Sequence, residues 1–434
     1  MAALLADCDC CTAAAVHMMA YGSGEPFEVT AFGAKGDGAT LDTAAITRAL
    51  AAAEAAGGGE VLFPSPGVYL TGALVLPSHL VLTIPPGATI LGSPEEADYP
   101  TLPPMWSVCG RIVTGGPFAS PLVGGRQVSN VTIRGGGVLD GGGYKSFMPR
   151  LVQFQRSQNI HIQNITLQRS GMWTVHFYFV VDASVTDSRI VNPILQSQTD
   201  GVDVDSSANV YIARNFIQCG DDGVVLKSGS DWCGRQWATP TVNVTIEHNY
   251  FNFSGGQLAF GSDMSGGVRD VLVQHNIMYG DAHRQPHLFD WGPRVIVLKT
   301  GRGRGGVIEN VMVLNTTCID CDQIVRVSYT YVTMPEPQNV SATPVFRNIT
   351  IRGVHGTAEE PGFFRCLPET APVMHFEDID VLYLSNRTDY AGCGLGCPLG
   401  TATNVKPPVC DLQPRLKTQD PGLVGGLAKS LWLD

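Results

Sequence analysis

The heptapeptide SNVTIRG at residues 129–135 recurs with small changes along the chain, as QNITLQR (163–169), VNVTIEHN (242–249) and RNITIRG (347–353). NIHIQN (159–164), NVYIARN (209–215) and NVMVLN (310–315) share the pattern: an Asn, then a short alternating, β-branched run. Such a run predicts a turn residue feeding a strand with one buried face. Counted from Asn130, copies begin at Asn159, Asn209, Asn243, Asn310 and Asn348, with degenerate ones near Asp182 and Asp270, so the period runs from about 25 to 40 residues. Repeats of roughly 20 to 50 residues mark solenoids and propellers. These units are too poor in helix formers for a helical repeat and too irregular for propeller blades. They predict an all-β fold, a single-stranded parallel β-helix in which each coil stacks on the last and buries a continuous apolar column.

One segment departs from the repeat. DTAAITRALAAAEAA (42–56) places Ile46, Ala49, Leu50 and Ala53 at helical spacing, with Asp42 as N-cap and Gly57 to Gly59 as the stop. A terminal coil has no neighbour, and an amphipathic helix here covers it as the N-terminal cap. We expect residues 1–24 to lie outside the fold. One β-helix domain should then span residues 25–434, with a Cys-rich tail from about residue 385.

Composition narrows the function. Of 434 residues, 44% are hydrophobic, enough for a large core, and the 50 glycines and 28 prolines are dispersed as turns instead of forming a low-complexity block. A net charge of −11 argues against nucleic acid as partner, because phosphate binding draws on a basic face. No run reaches the roughly 20 apolar residues of a membrane span, so no membrane partner is expected.

Twelve cysteines and eight N-x-S/T sequons, at Asn130, Asn164, Asn243, Asn252, Asn315, Asn339, Asn348 and Asn386, favour a secreted glycoprotein with disulfides. The N-terminus MAALLADCDCCTAAAVHMMAYG, by contrast, lacks the basic region of a secretory signal. Most sequons also sit inside the repeat, where an Asn that turns the chain explains them without any glycan.

QCGDDGVVLKSG (218–229) raises a different question, since two adjacent carboxylates raise each other's pKa and gain nothing for the fold. Asp200, in QTDGVDVDSS, lies about one short coil before Asp221, so it should stack beside Asp221 and Asp222 at roughly the 4.7–4.9 Å strand spacing. On a regular strand the two would face opposite ways. Gly220 and Gly223 allow a bend or bulge that turns both outward. Three converging carboxylates either ligate a hard cation, divide acid and base work between them, or are solvated turn residues.

QTDGVDVDSS, CGDDGVVLKSG, GGQLAFGSDMSGGV and VLKTGRGRGG, in this order, resemble the signature blocks of the family 28 glycoside hydrolases, the polygalacturonase family. FGAKGDGATLDTAAITRAL, IRGGGVLDGGG and SGMWTVHF also resemble segments of that family, and the form GSDMSGG resembles its plant-like, exo-acting branch. The resemblance implies a right-handed parallel β-helix that hydrolyses pectin-like, galacturonic-acid-containing polysaccharide with inversion and without a cofactor or metal, as a secreted or cell-wall monomer. By the same resemblance Asp221 is the general acid, Asp200 and Asp222 activate water, and Lys299 binds a substrate carboxylate. Gln198, Lys227, Gln257 and Tyr331 are candidate substrate contacts. A disulfide between Cys219 and Cys233 would staple the DDG loop.

Some positions depart from the family pattern. Gln198 replaces an asparagine, Gly255-Gly256-Gln257 replaces Gly-His-Gly, and Val297 replaces an arginine, although Arg294, Arg302 and Arg304 lie nearby. The segment from Met278 to Arg294 is expected as a loop beside the cleft that favours exo action. GRGRGG (301–306) fits a dinucleotide fingerprint by letter but is followed by a strand pattern. His283 and His287 bracket Pro286, and Cys318 and Cys321 lack a second pair, so neither predicts a metal site. Two rival readings remain: a β-helical polysaccharide lyase using calcium, and a non-catalytic carbohydrate-binding β-helix.

Overall fold

The computed structural model describes residues 24–101, 119–144, 146–147, 149–280, 293–331, 342–367, 370, 372–385 and 400–406. The described chain forms a parallel β-helix with three strands to a coil. Val202–Asp205, Ala208–Ala213 and Phe216–Gln218 form one coil. Val224–Lys227, Thr241–Glu247 and Tyr250–Asn252 form the next, each strand pairing in parallel with its counterpart one coil earlier.

The repeated motif forms the middle strand of each coil, and its alternation becomes the core. Val131 and Ile133 pair with Ile160 and Ile162, which pair with Ala183 and Val185, and so on through Val210/Ile212, Val244/Ile246, Val271/Val273 and Val311/Val313 to Ile349/Ile351. All of these side chains are buried. Each coil thus places the same two apolar positions over the same two below, and no coil buries its inner face without a neighbour.

The Asn ahead of each run does the turning that the sequence predicts. Asn130, Asn159, Asp182, Asn209, Asn243, Asp270, Asn310 and Asn348 all have left-handed backbone, with φ between 52° and 60°. Asn and Asp tolerate this conformation better than other residues bearing a Cβ. Stacked at one corner, their side chains form a ladder: Asn159 donates to Asn130 at 2.7 Å, Asn243 to Asn209 at 2.8 Å, and Asn348 to Asn310 at 2.7 Å.

The motif QNITLQR is out of frame with the others. Asn164 turns the following corner, in register with Asp187, Arg214, His248 and His275, all left-handed. Next to that corner runs a second ladder, fully buried, in which Asn215 donates to Asn249 at 3.0 Å and Asn249 to Asn276 at 3.1 Å.

The N-terminal helix, α1 (Thr43–Ala55), buries Ala45, Ile46, Ala49, Leu50 and Ala53 against the first coil. Asp42 occupies the N-cap position, but its carboxylate makes no capping bond. It accepts instead from the Lys35 and Gly36 amides at 2.7 and 3.0 Å, fastening the loop before the helix. A second helix, α2 (Asp231–Trp237), interrupts the coils and has no periodic signal in the sequence. No helix among the described residues is long and apolar enough to cross a membrane. The segment 1–23, His283, His287 and most of the Cys-rich tail lie outside the described residues, as does the centre of the Met278 to Arg294 segment.

Candidate active site

The three aspartates meet where two coils stack. Val202 pairs with Val224, and the Gly201 amide donates to the Asp222 carbonyl at 3.0 Å. Asp200 and Asp222 are therefore register neighbours, one strand spacing of about 4.8 Å apart along the backbone. The pair Asp221–Asp222 lies in the turn between Phe216–Gln218 and Val224–Lys227, not on a bulged strand. The flanking glycines serve close approach: a Cβ on Gly220 would stand 2.2 Å from the Gln196 carbonyl oxygen, and one on Gly223 2.6 Å from that of Gln257.

Backbone donors aim the two turn carboxylates. Asp221 accepts from the Gln198 amide at 2.8 Å through Oδ2 and from the Asp222 amide at 3.0 Å through Oδ1. Asp222 accepts from the Gly256 amide at 2.9 Å through Oδ1, and its Oδ2 takes the ammonium of Lys299. Lys299 Nζ also lies 5.5 Å from the centre of the Tyr331 ring, within cation–π range.

Burial and crowding raise the proton affinity of two of these carboxylates. Burial, then the carboxylates of Asp203 and Asp221, push Asp200 well above the usual carboxylate range. Burial and Asp222 raise Asp221 as well, against the pull of Lys299 and the Gln198 amide. Burial alone would lower Lys299, but Asp222 outweighs it, so the lysine stays charged.

A buried layer flanks the cluster. Lys227 Nζ lies 3.3 Å from Asp203 and 3.9 Å from Asp200, and 4.5 Å from the centre of the Trp173 ring. Arg150 covers the same tryptophan at 4.8 Å. His176, wholly buried against Trp173, bonds Gln153 through Nδ1 at 2.7 Å. Burial and the nearby cations Arg150 and Lys227 hold it neutral, far below its ordinary pKa. Asp203 is pushed up to about 6, chiefly by burial, and Asp205 to about 7 by burial and Asp263.

Asp200, Asp221, Asp222, Lys299 and Tyr331 thus come together in one cluster, while other candidates take different positions. Gln198 reaches Asp221 through its backbone amide. Lys227 is turned into the buried layer as a counter-ion to Asp203 and Asp200. Gln257 is fully buried, its amide spent on the Tyr279 carbonyl at 3.0 Å. Cys219 is a free buried thiol and Cys233 is disulfide-bonded elsewhere, so the two do not staple the loop. Cys318 and Cys321 are bonded to each other.

The substituted family positions also have physical explanations. A Cβ on Gly256 would lie 2.5 Å from Asp222 Oδ1, so the bare backbone is what allows its amide to hold that carboxylate. Val297 joins Val225 and Ala259 in a small apolar cluster. Of the three nearby arginines, Arg302 is exposed, and the other two are engaged elsewhere. Arg294 pairs with Asp322 at 3.1 Å, and Arg304 with Asp231 and Asp263 at 2.9 and 3.0 Å. Sequence reading missed Asp203, Asp205, Trp173, His176 and Arg150. The available signal was the alternation VDVD after Asp200, which sends Asp203 and Asp205 out of the core on one side.

Among known proteins, a probable polygalacturonase of Vitis vinifera is 32% identical over 302 residues, covering 66% of this chain and 59% of the relative. An exo-poly-alpha-D-galacturonosidase of Dickeya chrysanthemi is 26% identical over 306 residues, covering 58% of this chain and 50% of the relative. The matches thus span only 59% and 50% of these two curated relatives. The fold is shared with a solved exopolygalacturonase from Thermotoga maritima, at a TM-score of 0.65 and 23% identity over 87% of this chain and 91% of that one. The family model for glycosyl hydrolases family 28 matches residues 115–393. With most of the chain matched by that model, and with the fold and aspartate cluster that its motifs imply, the chain belongs to glycosyl hydrolases family 28.

Proposed function

We propose that this protein is an inverting glycoside hydrolase acting on α-linked, galacturonic-acid-containing polysaccharide of the pectin type. The observation that carries the reading is the stacking of Asp200 on Asp222 beside Asp221, with Lys299 seated on the cluster.

Asp221, whose hold on its proton is strengthened by burial and by Asp222, gives that proton to the glycosidic oxygen as the bond to the anomeric carbon breaks. Water attacks that carbon from the opposite face, and its proton passes to the Asp200–Asp222 pair. Inversion needs acid and base roughly 6.5–9.5 Å apart to admit the water. Lys299 supplies the positive charge for a sugar carboxylate, and Tyr331 shapes the same subsite. The protein works as one β-helix domain from residue 25 onward, as a secreted monomer, with polysaccharide as its partner.

An NMR time course with polygalacturonan and with rhamnogalacturonan tests this, with Asp221→Asn as control. New β-anomeric reducing ends on one polymer, absent in the control, are the expected result. Unsaturated products absorbing in the ultraviolet would replace hydrolysis by elimination, and the absence of new ends on either polymer would leave only a binding role.

A further inference from the structure

The cluster stands at one end of a surface track whose two sides differ. Along the site-bearing face, residues alternate between core and outside. On the N-terminal side, the outward positions of Val152–Gln155 and Val175–Tyr178 are Gln153, Gln155, His176 and Tyr178, exposed by 2%, 9%, 0% and 0%. These four described side chains offer no open surface.

On the C-terminal side the register carries two outward columns away from the aspartates. One runs Val225, Ala259, Val297, Arg326, Phe363, and the other Gly261, Lys299, Ser328, Arg365. Over four ladder steps, about 19 Å, the face passes from five aspartates to three cations. Arg326 and Arg365 both lie over the Phe363 ring, at 4.9 and 5.3 Å from its centre. Phe363 is half-buried and Arg365 exposed.

The ring limits the freedom of both guanidiniums, which lowers the entropy cost of binding an anion there. The acids in the adjoining column are already engaged: Asp322 pairs with Arg294 at 3.1 Å, and Glu360 accepts from Gln323 at 3.2 Å.

We infer that Arg326, Phe363 and Arg365 form a distal subsite for a polyuronide chain, which lies along this face from Lys299 toward Arg365 with its end at the aspartates. The occupant follows from charge: a chain with one carboxylate per sugar complements Lys299, Arg326 and Arg365 in turn. This rests on the hydrolase reading for the substrate class. It adds that the enzyme grips long chains better than short ones and works from a chain end.

The experiment measures binding of oligogalacturonates, from dimer to octamer, to Asp221→Asn protein by calorimetry, with and without Arg326→Gln and Arg365→Gln, each alone and combined. In the parent, affinity should rise with length until the chain spans to Arg365. The double substitution should remove about tenfold of the octamer's affinity and leave the dimer's unchanged. A length gain that survives both substitutions, or no length gain or no binding at all in the parent, overturns the subsite. Turnover by the unsubstituted enzyme reports separately on the hydrolase reading. Oligomers bound but never cut would refute hydrolysis and keep the subsite, whereas oligomers cut with an unaltered length gain would do the reverse.

Discussion

The ammonium of Lys299 rests on the carboxylate of Asp222 although 77 residues separate them in the chain. Two ladder steps bring them together, because Lys299 pairs with Gly261 and Asp222 lies just ahead of the strand that pairs with 256–261. The lysine is therefore both a counter-ion to the cluster and its positive edge.

Replacing Lys299 with Met separates these effects. Asp221 loses a cation that holds its pKa down, so the alkaline limb of the kcat/KM profile should move to higher pH. KM should rise by about tenfold or more, since a truncated partner leaves a buried charge uncompensated. An unmoved alkaline limb would disconnect Lys299 from the titrating cluster.

Gly256→Ala adds one methyl at 2.5 Å from Asp222 Oδ1. The carboxylate must move, and a misplacement near 1 Å costs on the order of 100-fold in rate. Steady-state kinetics should show the loss in kcat, while thermal unfolding should change little.

Asp205 makes stability depend on pH. Burial and Asp263 raise it from 3.8 to about 7, so between these values the folded protein holds a proton that the unfolded chain has released. Stability contributed here is present at low pH and is lost as pH climbs toward 7, by at most about 1.4 kcal/mol per pH unit for one proton. Urea midpoints at pH 5 and 7.5 should differ less in Asp205→Asn than in the parent.

Asn249→Ala breaks the buried ladder. Asn249 donates to the Ile212 carbonyl and to Asn276, and accepts from the Asn215 amide, so the change strands several buried groups. A loss of about 3 kcal/mol in chemical denaturation is expected, at the upper end for an unsatisfied buried group. Asn209→Ala, on the exposed ladder, should cost less.

The fold was legible because the motif carries both of its determinants. The Asn fixes a left-handed corner and the alternation fixes the inward face, so Asn130 and Val131 each predict their own environment. The buried ladder was equally present in the letters, six residues after Asn209, Asn243 and Asp270, but polar residues at a hidden corner have no hydrophobic signature. At the site, Asp200 and Asp222 could be brought together by counting one coil. Lys227 could not be placed that way: whether it faced substrate or Asp203 depended on what was stacked beside it. The absence of a Cys219–Cys233 bond and the burial of Gln257 likewise depend on three-dimensional neighbours that no local spacing encodes.

The asparagine ladder also bears on protein processing. Asn243 and Asn348 are acceptor sequons by letter, yet each spends its Nδ2 on the coil before it, and Asn130 spends its own on His79 at 3.0 Å. Each Nδ2 has a second hydrogen, so an attached oligosaccharide would either keep the rung through the remaining N–H or break it. Glycan occupancy at the three sites would therefore read out whether the ladder tolerates a substituted amide.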